Sequence, residues 1–167
     1  MEFEIFRTGT HTSNNGVTKS YSLSDLNSIV DSYNPQNLEA PLVLGHPKSN
    51  SPAFGWIESL KVVGDRLIAK AKDVVPEFLD AVKNGLFKKR SVSLDKDGKL
   101  RHVGFLGAAI PAVHGLADIQ FSEDDINESF EFNNEDNTQS DSNNSLVTDP
   151  IISELNSLSK QIKSLTD

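Results

Sequence analysis

From Val103 to Ser159 the chain has no lysine or arginine and eleven aspartates and glutamates, whereas residues 1–102 hold 14 Lys/Arg against 12 Asp/Glu. This asymmetry limits where a core can form. Between Ser122 and Asp149 the residues are mostly Asn, Ser, Asp and Glu, with too little apolar surface to offset the entropy of ordering a backbone. The sequence therefore predicts a folded domain over residues 1–121, a disordered acidic linker over 122–149 and a separate segment over 150–167. The net charge of −8 argues against a nucleic-acid partner, because phosphate neutralisation needs clustered cations. Only Lys88-Lys89-Arg90 groups them, and that run reads as a solvated approach to a strand.

Several chemistries fall away at once. The chain lacks cysteine, which removes disulfides, thiolate catalysis and Cys-ligated zinc. Its four histidines, His11, His46, His102 and His114, form no i,i+4 pair, so neither a metal nor a cofactor is expected. No apolar run reaches the roughly 18 residues of a membrane span, and Glu2, Glu4 and Arg7 rule out a secretory h-region at the start. These features predict a soluble protein of a reducing compartment, without a membrane partner.

The first 121 residues read as α+β, mainly β. Glu2 to Arg7 alternates as a half-buried strand does. Ser22 or Ser24 caps a helix whose Leu23, Leu26, Ile29, Val30 and Tyr33 share a face, and Asn34-Pro35 ends it. Leu42-Val43-Leu44 forms a short strand that runs into the turn Gly45-His46-Pro47. Gly64-Asp65 suits a two-residue hairpin turn, with Val62 opposite Leu67 and Leu60 opposite Ala69. Pro76 fits the first turn of a second helix with Phe78, Leu79 and Val82 buried and Gly85 at its end. Trp56 is expected in the core.

The next strand holds the candidate chemistry. Ser91 and Ser93 face one way while Val92 and Leu94 face the other. Asp97-Gly98 signals a turn, and the following strand runs from Lys99 through His102 into the apolar, small-residue stretch Val103 to Ile110, with Gly104, Gly107, Ala108 and Ala109. A two-residue loop sets His102 across from Ser93; a four-residue loop sets it across from Ser91. A three-residue loop without a compensating bulge would turn it to the other face. A serine needs a base to take its proton, and the base works best when a third group fixes its tautomer. His46 and His102 are the available imidazoles.

The stretches "IFRTGTHT", "EAPLVLGHP", "PAFGWIESLKVVGDRLIAK", "VVPEFLDAVKNGLFKKRSVSL" and "LRHVGFLGAAIPAV" occur in order across residues 4–121. Over that length the chain resembles the capsid maturation (prohead) proteases of tailed phages, in particular the Mu-like I-protein group related to herpesvirus assemblin. The resemblance implies a closed or nearly closed antiparallel β-barrel with a few surrounding helices. It also implies a serine endopeptidase with His46 as general base and Ser91, in the pattern Ser91-Val92-Ser93-Leu94, as nucleophile. For the third member the family uses a second histidine or an acidic residue. Hairpin geometry favours His102 over Asp95 and Asp97, whose turn is exposed. The implied partners are the phage scaffold and major capsid protein, and the implied setting is the host cytoplasm inside the assembling procapsid.

After Asp149-Pro150, Ile151, Leu155, Leu158, Ile162 and Leu165 recur at spacings of 4, 3, 4 and 3, a coiled-coil seam. At about two heptads this helix needs a partner, so the chain is expected to form a homo-oligomer through it. In the resembling family a scaffolding region follows the protease and is itself digested. The alternative is a non-catalytic assembly scaffold with an inactive protease-like domain.

Overall fold

The computed structural model describes residues 1–121; the predicted acidic linker and C-terminal helix lie outside the described residues. The chain runs β1 (Glu2–Arg7), β2 (Gly9–Thr12), β3 (Thr18–Tyr21), α1 (Leu23–Ser32), β4 (Leu42–Leu44), β5 (Trp56–Val63), β6 (Arg66–Lys72), α2 (Pro76–Lys83), β7 (Lys89–Leu94) and β8 (Leu100–Leu106). Ser22 caps α1 through a reciprocal capping box with Asp25, which satisfies two otherwise orphaned N–H groups. Leu26 and Ile29 bury its inner face, but Leu23, expected on that face, is largely exposed. Tyr33 follows the helix and ties it to β5: its hydroxyl donates to the Ile57 carbonyl at 2.5 Å and accepts from Ala40 N–H at 3.1 Å.

The predicted Gly64-Asp65 hairpin has the expected register, with Val62 opposite Leu67 and Leu60 opposite Ala69. Gly64 takes a φ of +60°, which a side chain would resist. In α2, Pro76 occupies the first turn and Phe78, Ala81 and Val82 are buried; Ala81 takes the place predicted for Leu79. Phe78 joins the layers, with its ring 5.1 Å from Phe54 and 4.9 Å from Phe105, which in turn lies 5.5 Å from Phe3.

The expected closed barrel is not formed. The strands make three separate open sheets, in the orders β1-β6-β5, β2-β3 and β4-β8-β7. Two local features mark the gaps. Beside β7, strand β1 has a register irregularity between Glu4 and Phe6, and the Glu4 carbonyl is taken by the Arg90 side chain at 2.8 and 3.0 Å. A guanidinium thus occupies an acceptor that a strand–strand ladder would need. Beside β5, the chain before β4 makes only an isolated bridge, Pro41 to Trp56, closed by bonds from Ile57 N–H to Ala40 O and from Leu42 N–H to Gly55 O, both 2.8 Å. Trp56 itself is half-buried. Among the described residues no helix is long and apolar enough to cross a membrane.

Candidate active site

Strand β4 is short because Gly45 turns the chain with a φ of +62°. Before that turn β4 pairs parallel with β8, Leu42 beside Val103 and Leu44 beside Phe105, and Gly45 N–H donates to the Phe105 carbonyl at 2.9 Å. A methyl group at Gly104 would fall 2.1 Å from the Gly45 carbonyl oxygen, so only glycine permits this approach. Of the small residues, Gly104 meets the backbone of Gly45 just after β4, and Gly107, Ala108 and Ala109 are exposed beyond the end of β8.

Strands β7 and β8 pair antiparallel, with Ser91 opposite Gly104 and Ser93 opposite His102. Directly opposed residues share a face, so Ser91, Ser93 and His102 lie on one side of the sheet. The turn differs from both simple loops. Asp95 N–H donates to the Lys99 carbonyl at 2.9 Å, enclosing Lys96, Asp97 and Gly98 in a three-residue loop, with Gly98 at a φ of +80°. The pairing then shifts from Ser93–His102 to Leu94–Leu100, leaving Arg101 as an extra residue. This bulge restores the register that a three-residue loop would otherwise have lost.

His46 and His102 come together on the serine face, with His46 Nδ1 2.8 Å from His102 Nε2. His46 keeps an exposed surface and His102 is half-buried. Even so, surrounding protein removes enough water to lower the pKa of both below the ordinary imidazole value, and for His102 the charges of His46 and Arg101 add to the effect. Both rings are thus biased toward the neutral form. In a neutral pair one N–H donates and one lone pair accepts. If His46 Nδ1–H donates, its Nε2 is left as a free proton acceptor, the form a general base requires.

Ser91 is 8% exposed, and its hydroxyl makes no hydrogen bond to either imidazole. Ser93 lies nearer the surface, where Pro47, Ser93, Leu94, Asp95, Lys96, Arg101 and His102 line a cleft of about 690 Å³. Asp95 is engaged in its own turn: Oδ1 accepts from Lys99 N–H at 2.9 Å and Asp97 N–H at 2.8 Å, and the Lys99 bond leads in lowering its pKa. His11 sits elsewhere, its Nε2–H donating to the Arg7 carbonyl at 2.9 Å while the ring packs edge-on to Phe6; His114 is exposed. Among the described residues no group of His, Asp and Glu is arranged to hold a metal ion.

Two residues in this region escape a reading by strand parity. Arg90, expected to be solvated, is 2% exposed, and its guanidinium donates to the carbonyls of Glu4, Lys88 and Ala117. Arg101 is re-aimed by the bulge. Its signal was the apolar pair Leu100 and Val103, three apart, which cannot share a face in an unbroken strand. Comparison with protein-family models, curated proteins and solved structures finds no match for the chain.

Proposed function

We propose that this chain is a serine endopeptidase of the prohead-protease type. Ser91 attacks a peptide carbonyl, its proton passes to Nε2 of His46, and His102 accepts from His46 Nδ1–H, holding the base in its working tautomer. The proton then goes to the leaving amine, and water releases the acyl group through the same base. The substrates are the chain's own scaffold extension and capsid-interior proteins, and the partners are the phage scaffold and major capsid protein in the assembling procapsid. The observation that carries this reading is the 2.8 Å imidazole pair on the face that bears Ser91.

The burial of Ser91 and the absence of a bond from its hydroxyl to His46 favour a second reading, an assembly scaffold whose protease-like domain is inactive. The two separate when the full chain and its Ser91→Ala form are incubated with a scaffold-like substrate and fragments are followed by mass spectrometry. The endopeptidase reading expects fragments from the first and none from the second. Equal processing by both would remove Ser91 from the mechanism, and no processing by the unaltered chain under assembly conditions would favour the scaffold reading.

A further inference from the structure

Strand β8 buries Leu100 at 4% exposure and Val103 at 0%. Side chains three apart lie on opposite faces of a regular strand, so the burial of both requires the extra residue at Arg101. The bulge thereby puts two consecutive side chains, Arg101 and His102, on the non-core side. Both line the cleft that also holds Ser93.

We infer that Arg101 is a specificity-determining residue that binds a carboxylate of an acidic peptide substrate in the cleft beside Ser93 and His102. Its role in cleavage rests on the endopeptidase reading; its role in binding does not. Arg101 is exposed and, among the described residues, makes no ion pair or hydrogen bond through its guanidinium. Among the described residues the one carboxylate lining the cleft is Asp95; it feels the charge of Arg101, but its Oδ1 already accepts two backbone N–H bonds. Lys96 adds a second cation, 90% exposed and only 3.9 Å from Asp97. Pro47 and Leu94 supply apolar wall. A carboxylate entering here meets a guanidinium fork with donors to spare, and two parallel N–H···O bonds are the pairing such a fork favours.

The chain itself supplies a suitable probe sequence. Residues 122–149 contain nine Asp/Glu and no Lys/Arg, so a labelled peptide of that sequence, and a counterpart with every Asp and Glu changed to its amide, can be titrated in trans. The protein is the full chain carrying Ser91→Ala, which prevents turnover, with and without R101Q. Fluorescence anisotropy is expected to show about a tenfold loss of acidic-peptide affinity on R101Q, the effect of one charge-assisted pair. The amide peptide should bind weakly and respond little. Urea unfolding of R101Q should match its parent, since the side chain is exposed. Equal binding of the two peptides, or an R101Q affinity unchanged for the acidic one, overturns the inference. Arg101-dependent binding with no cleavage by the unaltered chain sinks the endopeptidase reading and leaves this one standing. Cleavage that is indifferent to R101Q in KM does the reverse.

Discussion

His46 Nδ1 and His102 Nε2 lie 2.8 Å apart across 56 residues of sequence. The pair is made by two strands that run parallel, with β4 delivering His46 at its end and β8 presenting His102 two residues before Gly104. Among the described residues neither ring has a carboxylate as its hydrogen-bond partner. The tautomer is therefore set by the other imidazole, and protonation of either ring disturbs both.

Loss of water lowers the pKa of His46, and loss of water followed by the charges of His46 and Arg101 lowers that of His102. Between the lowered folded values and the unfolded value of about 6.5, the unfolded chain binds more protons than the folded one. Stability contributed by this pair is therefore full above about pH 6.5 and is lost as pH falls through the folded values. Urea unfolding at pH 7 and pH 5 should show lower stability at pH 5, with the difference reduced in a His46→Gln/His102→Gln protein. On the endopeptidase reading, cleavage should likewise rise with pH and level off below the value for a free imidazole. A profile still rising well above pH 7 would contradict a base of lowered pKa.

Gly104 offers a test of how the site is assembled. A side chain there would meet Gly45 carbonyl oxygen at 2.1 Å and carbonyl carbon at 3.0 Å, both backbone atoms that cannot rotate away. Gly104→Ala must push β4 from β8 and should cost about 1–3 kcal/mol, as overpacking does. The displacement acts on the residue next to His46, so on the endopeptidase reading cleavage should fall although no proposed reacting group is changed. Gly98→Ala is the comparison: its φ of +80° makes alanine unfavourable by about 1–2 kcal/mol, but no neighbouring atom lies within 4 Å to be displaced. If both variants lose stability and only Gly104→Ala loses activity, the Gly45–Gly104 contact positions the base.

What the sequence reveals here depends on how local each cause is. The Gly64-Asp65 register follows from a two-residue turn and the alternation beside it, so it is readable in a dozen residues. The common face of Ser91, Ser93 and His102 is readable from parity, provided the loop and the bulge compensate, and they do. The open sheets are not readable in this way. They depend on Arg90 reaching Glu4, 86 residues away, and on Pro41 meeting Trp56, contacts that have no periodic signature. Arg101 lies between these cases: the apolar pair Leu100 and Val103 marks the irregularity, but only the pairing shows which residue is extra.

The two serines can be separated by substitution. Ser93 is directly opposite His102, whereas Ser91 is opposite Gly104, whose missing side chain makes room for the Gly45 carbonyl. If Ser91 is the nucleophile, Ser91→Ala should abolish cleavage, whereas Ser93→Gly should leave kcat within about tenfold, well short of the roughly 10⁶-fold fall that follows removal of a nucleophile. Fragments counted by mass spectrometry under single-turnover conditions measure both. The reverse pattern would assign the attack to Ser93.

Arg90 immediately precedes Ser91 and holds the position where β7 meets β1. Its guanidinium donates at 2.8 and 3.0 Å to Glu4 O, at 2.7 Å to Ala117 O and at 2.9 Å to Lys88 O. It also lies over the Phe3 ring, 5.9 Å from its centre. Burial lowers its pKa, against the opposing charges of Glu4 and Asp118. A cation bonded mainly to neutral carbonyls is costly to bury, so it must be held by geometry, and three acceptors on three segments supply it. Arg90→Met keeps much of the volume but strands the carbonyls of Glu4 and Ala117, and should cost about 2–5 kcal/mol in urea unfolding. Arg90→Lys keeps the charge but lacks the planar fork and cannot reproduce bonds from Nε and both terminal nitrogens, so it should restore only part of that loss. Full rescue by lysine would mean that charge, not the three-way clamp, is what joins β7 to β1 beside Ser91.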